Sequence, residues 1–273
     1  MEKRTFKQAV ISSILFIFIA LVALATYLTV HENPSCSDGI LNQGEVAADC
    51  GGPCPPCEFQ TIKPLKNDWA KFFLIENKVY DAIALVENEN PNYGLGEISY
   101  TFSFYDAANR LVGKREGKTF VLPNQKKYIT EARISVVAEA TKIELNLGKT
   151  DWKKLTEFQG AGLLIRNKRF ESGDSGNNLG KARALGVIKN TSPYDWARVP
   201  VTVVLFGQDR QIIGVGSTEI YSLLSGEERE FVVSWFNEFK QPVQDSEMVA
   251  DTNVFSDDNF MKRYGAGEKF QEF

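Results

Sequence analysis

The chain has 273 residues, 43% of them apolar, and a formal net charge of −4. That apolar share is enough to bury real cores and excludes a wholly disordered chain, while the length admits two ordinary domains or one large one. The acidic balance excludes sequence-independent nucleic-acid binding, which needs a basic face to displace phosphate counterions.

Residues 1–7 form a basic tail containing Lys3, Arg4 and Lys7. From Ala9 to Val30 run 22 residues without a charge. As a helix they span about 33 Å, the thickness of a bilayer core, which predicts a transmembrane helix over residues 8–30. The first seven residues carry a net +2, leaving −6 for the rest. With His31 and Glu32 on the far side, the positive-inside bias places the N-terminus in the cytoplasm and the bulk of the chain outside. A cleaved signal peptide is the alternative, since Ala23-Leu24-Ala25 resembles a cleavage site. The apolar run exceeds the 7–15 residues usual for one, which favours an uncleaved anchor.

Residues 31–60 contain every cysteine: Cys36, Cys50, Cys54 and Cys57. The spacing Cys50-x3-Cys54-x2-Cys57 is that of an iron–sulfur motif, but the rest of the chain lacks the βα-repeat such a barrel requires. Cys54-Pro-Pro-Cys57 has the form of a thioredoxin-type redox pair without the βαβ unit that chemistry uses. A four-cysteine zinc site lacks its first C-x2-C half. Two disulfides remain, with all three pairings open. An exported location favours them, and a segment with so little apolar material needs staples to fold.

The pattern C-x-D-G-x-x-N-x-x-E-x-x-x-D-C-G-G-x-C-x-x-C over these residues resembles a short cysteine-rich module of exported bacterial surface proteins, which implies no enzymatic activity. Within it, Asp38, Asn42, Glu45 and Asp49 offer hard oxygen ligands in a Gly-turned loop and are candidate ligands for a structural calcium. Their spacing is not that of an EF-hand, and simple solvation is the alternative reading.

Downstream the chain repeats itself. Ala82–Pro91 (AIALVENENP) aligns with Ala184–Pro193 (ALGVIKNTSP), and Ile98–Gly113 aligns without gaps with Val199–Gly214. Phe73–Tyr80 (FLIENKVY) matches Leu163–Phe170 (LLIRNKRF), and Asp68-Trp69 matches Asp151-Trp152. Four matches in one order identify two copies of one domain, over residues 61–150 and 151–262. Tyr100, Phe102 and Phe104 alternate with Thr101, Ser103 and Tyr105, and Val201, Val203 and Leu205 repeat the arrangement, as in half-buried antiparallel strands. Turn signals near Pro91, Asn109, Leu122 and Leu224 separate the runs. The expected fold is mainly β: two tandem immunoglobulin-like antiparallel sandwiches after one transmembrane helix and a small stapled module.

Phe102–Asp106 (FSFYD) resembles the FxLYD motif of small exported bacterial β-sandwich domains, with Phe104 in the leucine position. An Asn-x-x-Pro turn before it and a Leu-x-Gly/Asn-Gln/Glu turn after it fit that resemblance. The second copy departs from it as Val203–Gly207 (VVLFG). The resemblance implies an immunoglobulin-like sandwich without catalytic residues. From the residues themselves, Phe102 and Phe104 fill the core and Asp106 opens a turn by accepting backbone N–H groups ahead of it.

The second copy carries a polar insertion, Glu171–Ala182, expected as a solvated loop with contact as the alternative. After Asp257 a frayed tail is expected, residues 263–273 lying beyond the second domain. His31 is the only histidine, so no histidine triad or imidazole metal site forms in the sandwiches, and the 35 acidic residues show no paired pattern. The expectation is a non-catalytic binding or structural protein of the cell envelope, partnered by the bilayer and by another envelope protein or cell-surface component. An accessory subunit of an envelope complex, using its helix as a contact, is the alternative, with an enzyme behind both.

Overall fold

The structure is a computed structural model that describes residues 2–30, 35–172, 181–239 and 241–261. His31 and Glu32, residues 173–180 of the insertion and the tail 263–273 lie outside the described residues. The chain divides into two compact units, Met1–Ile62 and Lys63–Phe273.

The N-terminal unit opens with one helix, α1 (Glu2–Val30). Its stretch Val10–Tyr27 has a mean hydropathy of 2.5 and no protein covering it, so it is long and apolar enough to cross a membrane or to serve as a signal sequence. The polar Thr26 hydroxyl is satisfied within the helix by the carbonyls of Val22 and Ala23. After the helix, residues 35–62 form turns, a one-residue-wide bridge between Ala47 and Cys50, and a short 3-10 turn at Cys57–Thr61.

The second unit is all antiparallel sheet. Its first half contributes β1 (Lys66–Glu76), β2 (Val79–Glu87), β3 (Tyr93–Tyr105), β4 (Leu111–Val121), β5 (Lys126–Ser135), β6 (Lys142–Leu147) and β7 (Trp152–Lys154). The second half contributes β8 (Leu163–Ser172), β9 (Ala182–Asn190), β10 (Trp196–Phe206), β11 (Ile212–Leu223), β12 (Glu228–Trp235) and β13 (Asp245–Ala250). Sheets β1-β2-β5 and β4-β3-β6 enclose one core, and sheets β8-β9-β12 and β11-β10-β13 enclose the other. The expected pair of sandwiches is present, with the same strand order in each copy.

The repeat has a structural cause in two polar devices. Asn88 and Asn190 are buried at equivalent positions at the ends of β2 and β9. Each donates from Nδ2 to two carbonyls, of Tyr93 and Leu122 in the first copy and of Tyr194 and Leu223 in the second. Each also accepts the amide two residues ahead, from Asn90 or Ser192. A buried amide side chain so engaged fixes the path of the Asn-x-x-Pro turn. The Leu-x-Asn/Gly-Gln/Glu turn repeats as well: Gln125 and Glu227 accept the amides of Leu122 and Leu224 at 2.8 Å. The left-handed position before each is Asn124 or Gly226, residue types that tolerate positive φ.

Two of the four sequence matches are corrected. Cross-strand partners make Phe72 and Phe170 equivalent, opposite Ala82 and Ala184, so LLIRNKRF is the interior of β8 and not a hairpin like FLIENKVY. Trp152 lies in β7, which pairs with β3 of the first sandwich, while Trp69 lies in β1. Strand β8 has drifted in sequence because its outer face and edge constrain it little. The frayed-tail expectation is corrected at its start, because Asn259 Oδ1 accepts the Arg198 amide and the Met261 amide bonds the Asp195 carbonyl.

The sandwiches pack face to face rather than as separate beads. Ile83 of β2 meets Val204 and Phe206 of β10 and Val215 of β11 in a third apolar layer, flanked by Trp69, Phe73, Tyr128 and Ile212. Strands β2 and β10 are therefore buried on both faces, which corrects the half-buried reading of β10. The continuous runs Ala82–Val86 and Val203–Phe206 are how such a strand reads. Lys127 forms an ion pair with Asp251, which also accepts from Gln125 Nε2 at 2.9 Å. Tyr128 Oη donates to Glu247 at 3.1 Å, and Asn253 Nδ2 to the Gly96 carbonyl at 2.8 Å. Phe255 lies where a Cβ on Gly94 or Gly96 would stand, so glycine at these positions admits it.

Candidate functional site

All four cysteines are consumed in two disulfides, Cys36–Cys54 and Cys50–Cys57. Cys54 and Cys57 are thus not joined to each other, so the Cys-Pro-Pro-Cys stretch is not a redox pair in this structure. Cys36, Glu45 and Cys54 place ligand atoms within 4.8 Å of one another, but both sulfurs are already in a disulfide and offer no thiolate. The Glu45 Oε1 to Cys54 Sγ approach of 3.0 Å is a van der Waals contact, since a disulfide sulfur has no proton to donate.

The four oxygen-bearing residues are brought into the same small loop, where the three carboxylates hold backbone. Asp49 accepts the amides of Asp38 and Gly39 at 2.8–3.0 Å. Asp38 closes an Asx turn on the Ile40 amide at 2.8 Å and takes Asn42 Nδ2 at 3.2 Å. Glu45 Oε2 accepts the amides of Asp49 at 3.1 Å and Asn42 at 3.4 Å. The carboxylates of Asp38, Glu45 and Asp49 thus each accept backbone amides of the loop itself. Asn42 Oδ1 is the one buried oxygen of the loop without a donor. The set fits a stapled, amide-capped turn. Gly51 and Gly52 sit at positive φ with Val46 and the Gly44 carbonyl where side chains would go, which explains the Cys-Gly-Gly run.

The FSFYD segment is a core strand and a turn. Phe102 and Phe104 are fully buried. Asp106 Oδ1 accepts the amides of Ala108 and Arg110, each at 2.9 Å, and Oδ2 takes Arg110 Nε at 2.8 Å. The Arg110 amide and guanidinium hold the Asp106 carboxyl below its ordinary range. Tyr105 lies at the strand end, with Lys142 Nζ 5.3 Å from its ring centre.

A cleft that no motif announced lies between the two sandwiches. Its volume is about 360 Å³, and Phe73, Asp81, Glu139, Trp235, Glu238 and Phe239 are among its walls. Clefts at domain junctions are preferred binding places. Asp81 is half-buried, and loss of solvent pushes its carboxyl up despite the Arg133 amide that donates to it at 2.8 Å. The available signal was Asp81 itself, a charge at an outward position just before the apolar run Ala82–Val86 of β2. Outside this cleft, on β5, Tyr128 is pushed up to about 12 by burial and by the Glu247 carboxylate. No protein-family model matches the chain, and no curated protein matches it.

Proposed function

We propose that the chain is a non-catalytic binding or structural protein of a bacterial cell envelope, held to the membrane by α1 and displaying a rigid pair of sandwiches outside. The observation that carries the reading is the stapled module. Residues 35–57 have almost no apolar core, all four cysteines are oxidised, and the segment follows an uncovered apolar helix. Such a module is suited to a compartment where thiols are not kept reduced. The FxLYD resemblance of Phe102–Asp106 supports the same location. The carboxylates of the module are spent on amides, as in a structural turn. A covalent staple is preferred to calcium for the module, so millimolar calcium is expected to leave its melting temperature unchanged.

The test is alkaline extraction of membranes from cells expressing the full chain, followed by mass spectrometry without reductant. The intact chain is expected in the membrane pellet with four oxidised cysteines. A soluble chain with free thiols overturns the reading, and a shortened chain released from the pellet replaces the anchor with a cleaved signal. If replacing α1 by an unrelated spanning segment abolishes crosslinking to neighbours, the accessory-subunit reading takes its place.

A further inference from the structure

The cleft between the sandwiches has a consistent charge. Among its described lining residues Asp81, Glu139 and Glu238 carry carboxylates and none carries a cation. Lys240, next to Phe239 in sequence, lies outside the described residues. Glu238 is paired with Lys181 at the rim. Asp81 is different: its Oδ1 accepts only a backbone amide, and the Arg133 guanidinium turns instead to Glu76. Burial pushes this half-buried carboxyl up against the pull of the Arg133 amide and charge, so a cation brought within hydrogen-bond distance would stabilise its ionised form.

The apolar walls favour the same guest. Phe73, Trp235 and Phe239 present rings, whose faces attract a cation as well as the methylene stem that carries it. Trp235 is held in place by its Nε1–H bond to the Val215 carbonyl at 2.9 Å. Two sheet-edge strands, β1 at residues 72–75 and β11 at residues 212–215, form the long sides of the cleft. Edge strands offer backbone groups to an extended segment laid beside them.

We propose that this cleft receives a basic side chain, lysine or arginine, presented by an extended segment of a partner protein. This inference deepens the binding half of the proposed function and rests on it, but not on the side of the membrane where the sandwiches lie. The experiment uses the full chain in detergent micelles, with NMR detection of the Trp235 indole proton. The probes are acetyl-Gly-Lys-Gly-amide, the same peptide with norleucine in place of lysine, and n-butylammonium. The lysine peptide is expected to shift the indole signal and to bind about tenfold more tightly than the norleucine peptide, as a charge-assisted hydrogen bond provides.

Asp81→Asn keeps the oxygen that accepts the Arg133 amide and removes the charge, so it is expected to abolish that tenfold preference. The exposed Glu139→Gln, which carries little folding risk, is expected to reduce the preference to a smaller extent. Equal binding of the two peptides, or an unchanged preference in both variants, overturns the cation site. Butylammonium binding as tightly as the lysine peptide overturns the extended segment. No indole shift with any probe at millimolar concentration overturns the whole proposal while leaving the extraction result untouched.

Discussion

The two sandwiches share a strand order but fill their cores in opposite ways. In the first, the centre of β3 supplies bulk through Phe102 and Phe104, and Tyr80 and Phe72 close around Phe104 with ring centres 5.3–6.0 Å apart. In the second, the same positions of β10 are Val203 and Leu205, and the bulk comes from across the core. The pair Tyr80/Ile134 becomes Ala182/Trp235, and Ala84/Ile129 becomes Gly186/Phe231. Gly186 is required there, since a Cβ would stand 2.7 Å from the Phe231 ring. Core volume is conserved across facing strands rather than position by position.

The sharpest way to break this comparison is to remove the bulk from each core. Phe104→Ala and Trp235→Ala are each expected to cost about 3–5 kcal/mol. Because the sandwiches share an apolar layer, either should lower one common thermal transition; two separate transitions in calorimetry would show that the copies are independent. Lys127→Met strands Asp251 between the copies and is expected to cost about 3 kcal/mol, measurable by urea unfolding. Gly186→Ala overpacks the second core by about 1–3 kcal/mol. Adding Phe231→Ile, which recreates the first copy's Ala/Ile pair, should recover much of that loss, and strict additivity would refute the exchange of volume.

The smallest effect distinguishes the hairpins. The folded-state pKa of Asp106 is depressed, so its contribution is present above the unfolded value and is lost as pH falls through the folded one. Exchange protection of the Ala108 and Arg110 amides should therefore fade on acidification below the ordinary carboxylate range. Asp106→Asn should remove that dependence, and the second copy's turn, where Gly207 stands at the position of Asp106, should lack it already.

Turn chemistry and strand period were legible because they are local. The Asn-x-x-Pro and Leu-x-Gly/Asn-Gln/Glu turns appear in the sequence because Asn88, Asn190, Gln125 and Glu227 each bond backbone within a few residues or across one turn. The face-to-face packing was less legible, although Ile83 and Val204 broke the alternation that a solvated face would show. The disulfide pairing could not be read, since four cysteines at these spacings permit three connectivities. The four oxygen-bearing residues of the module were legible as a group, but their role was not, because a carboxylate that caps amides and one that holds calcium have the same sequence. The cleft was invisible because its walls come from segments scattered along the chain, at residues 72–81, 139–140, 211–215 and 235–241.

The joint between the sandwiches is head-to-tail. It sets the outer face of β1-β2-β5 in the first copy against the outer face of β11-β10-β13 in the second, and these sheets are not equivalent in the repeat. A joint of this kind does not close on itself, so identical copies could in principle add without end. Ser99, Thr101, Glu144 and Asn146 occupy outward positions at one end, and the ion pairs Lys189–Glu228 and Arg183–Glu171 cross the other beside the exposed Leu164 and Val232. Polar and charged groups at the ends of such a stack disfavour the addition of a further member.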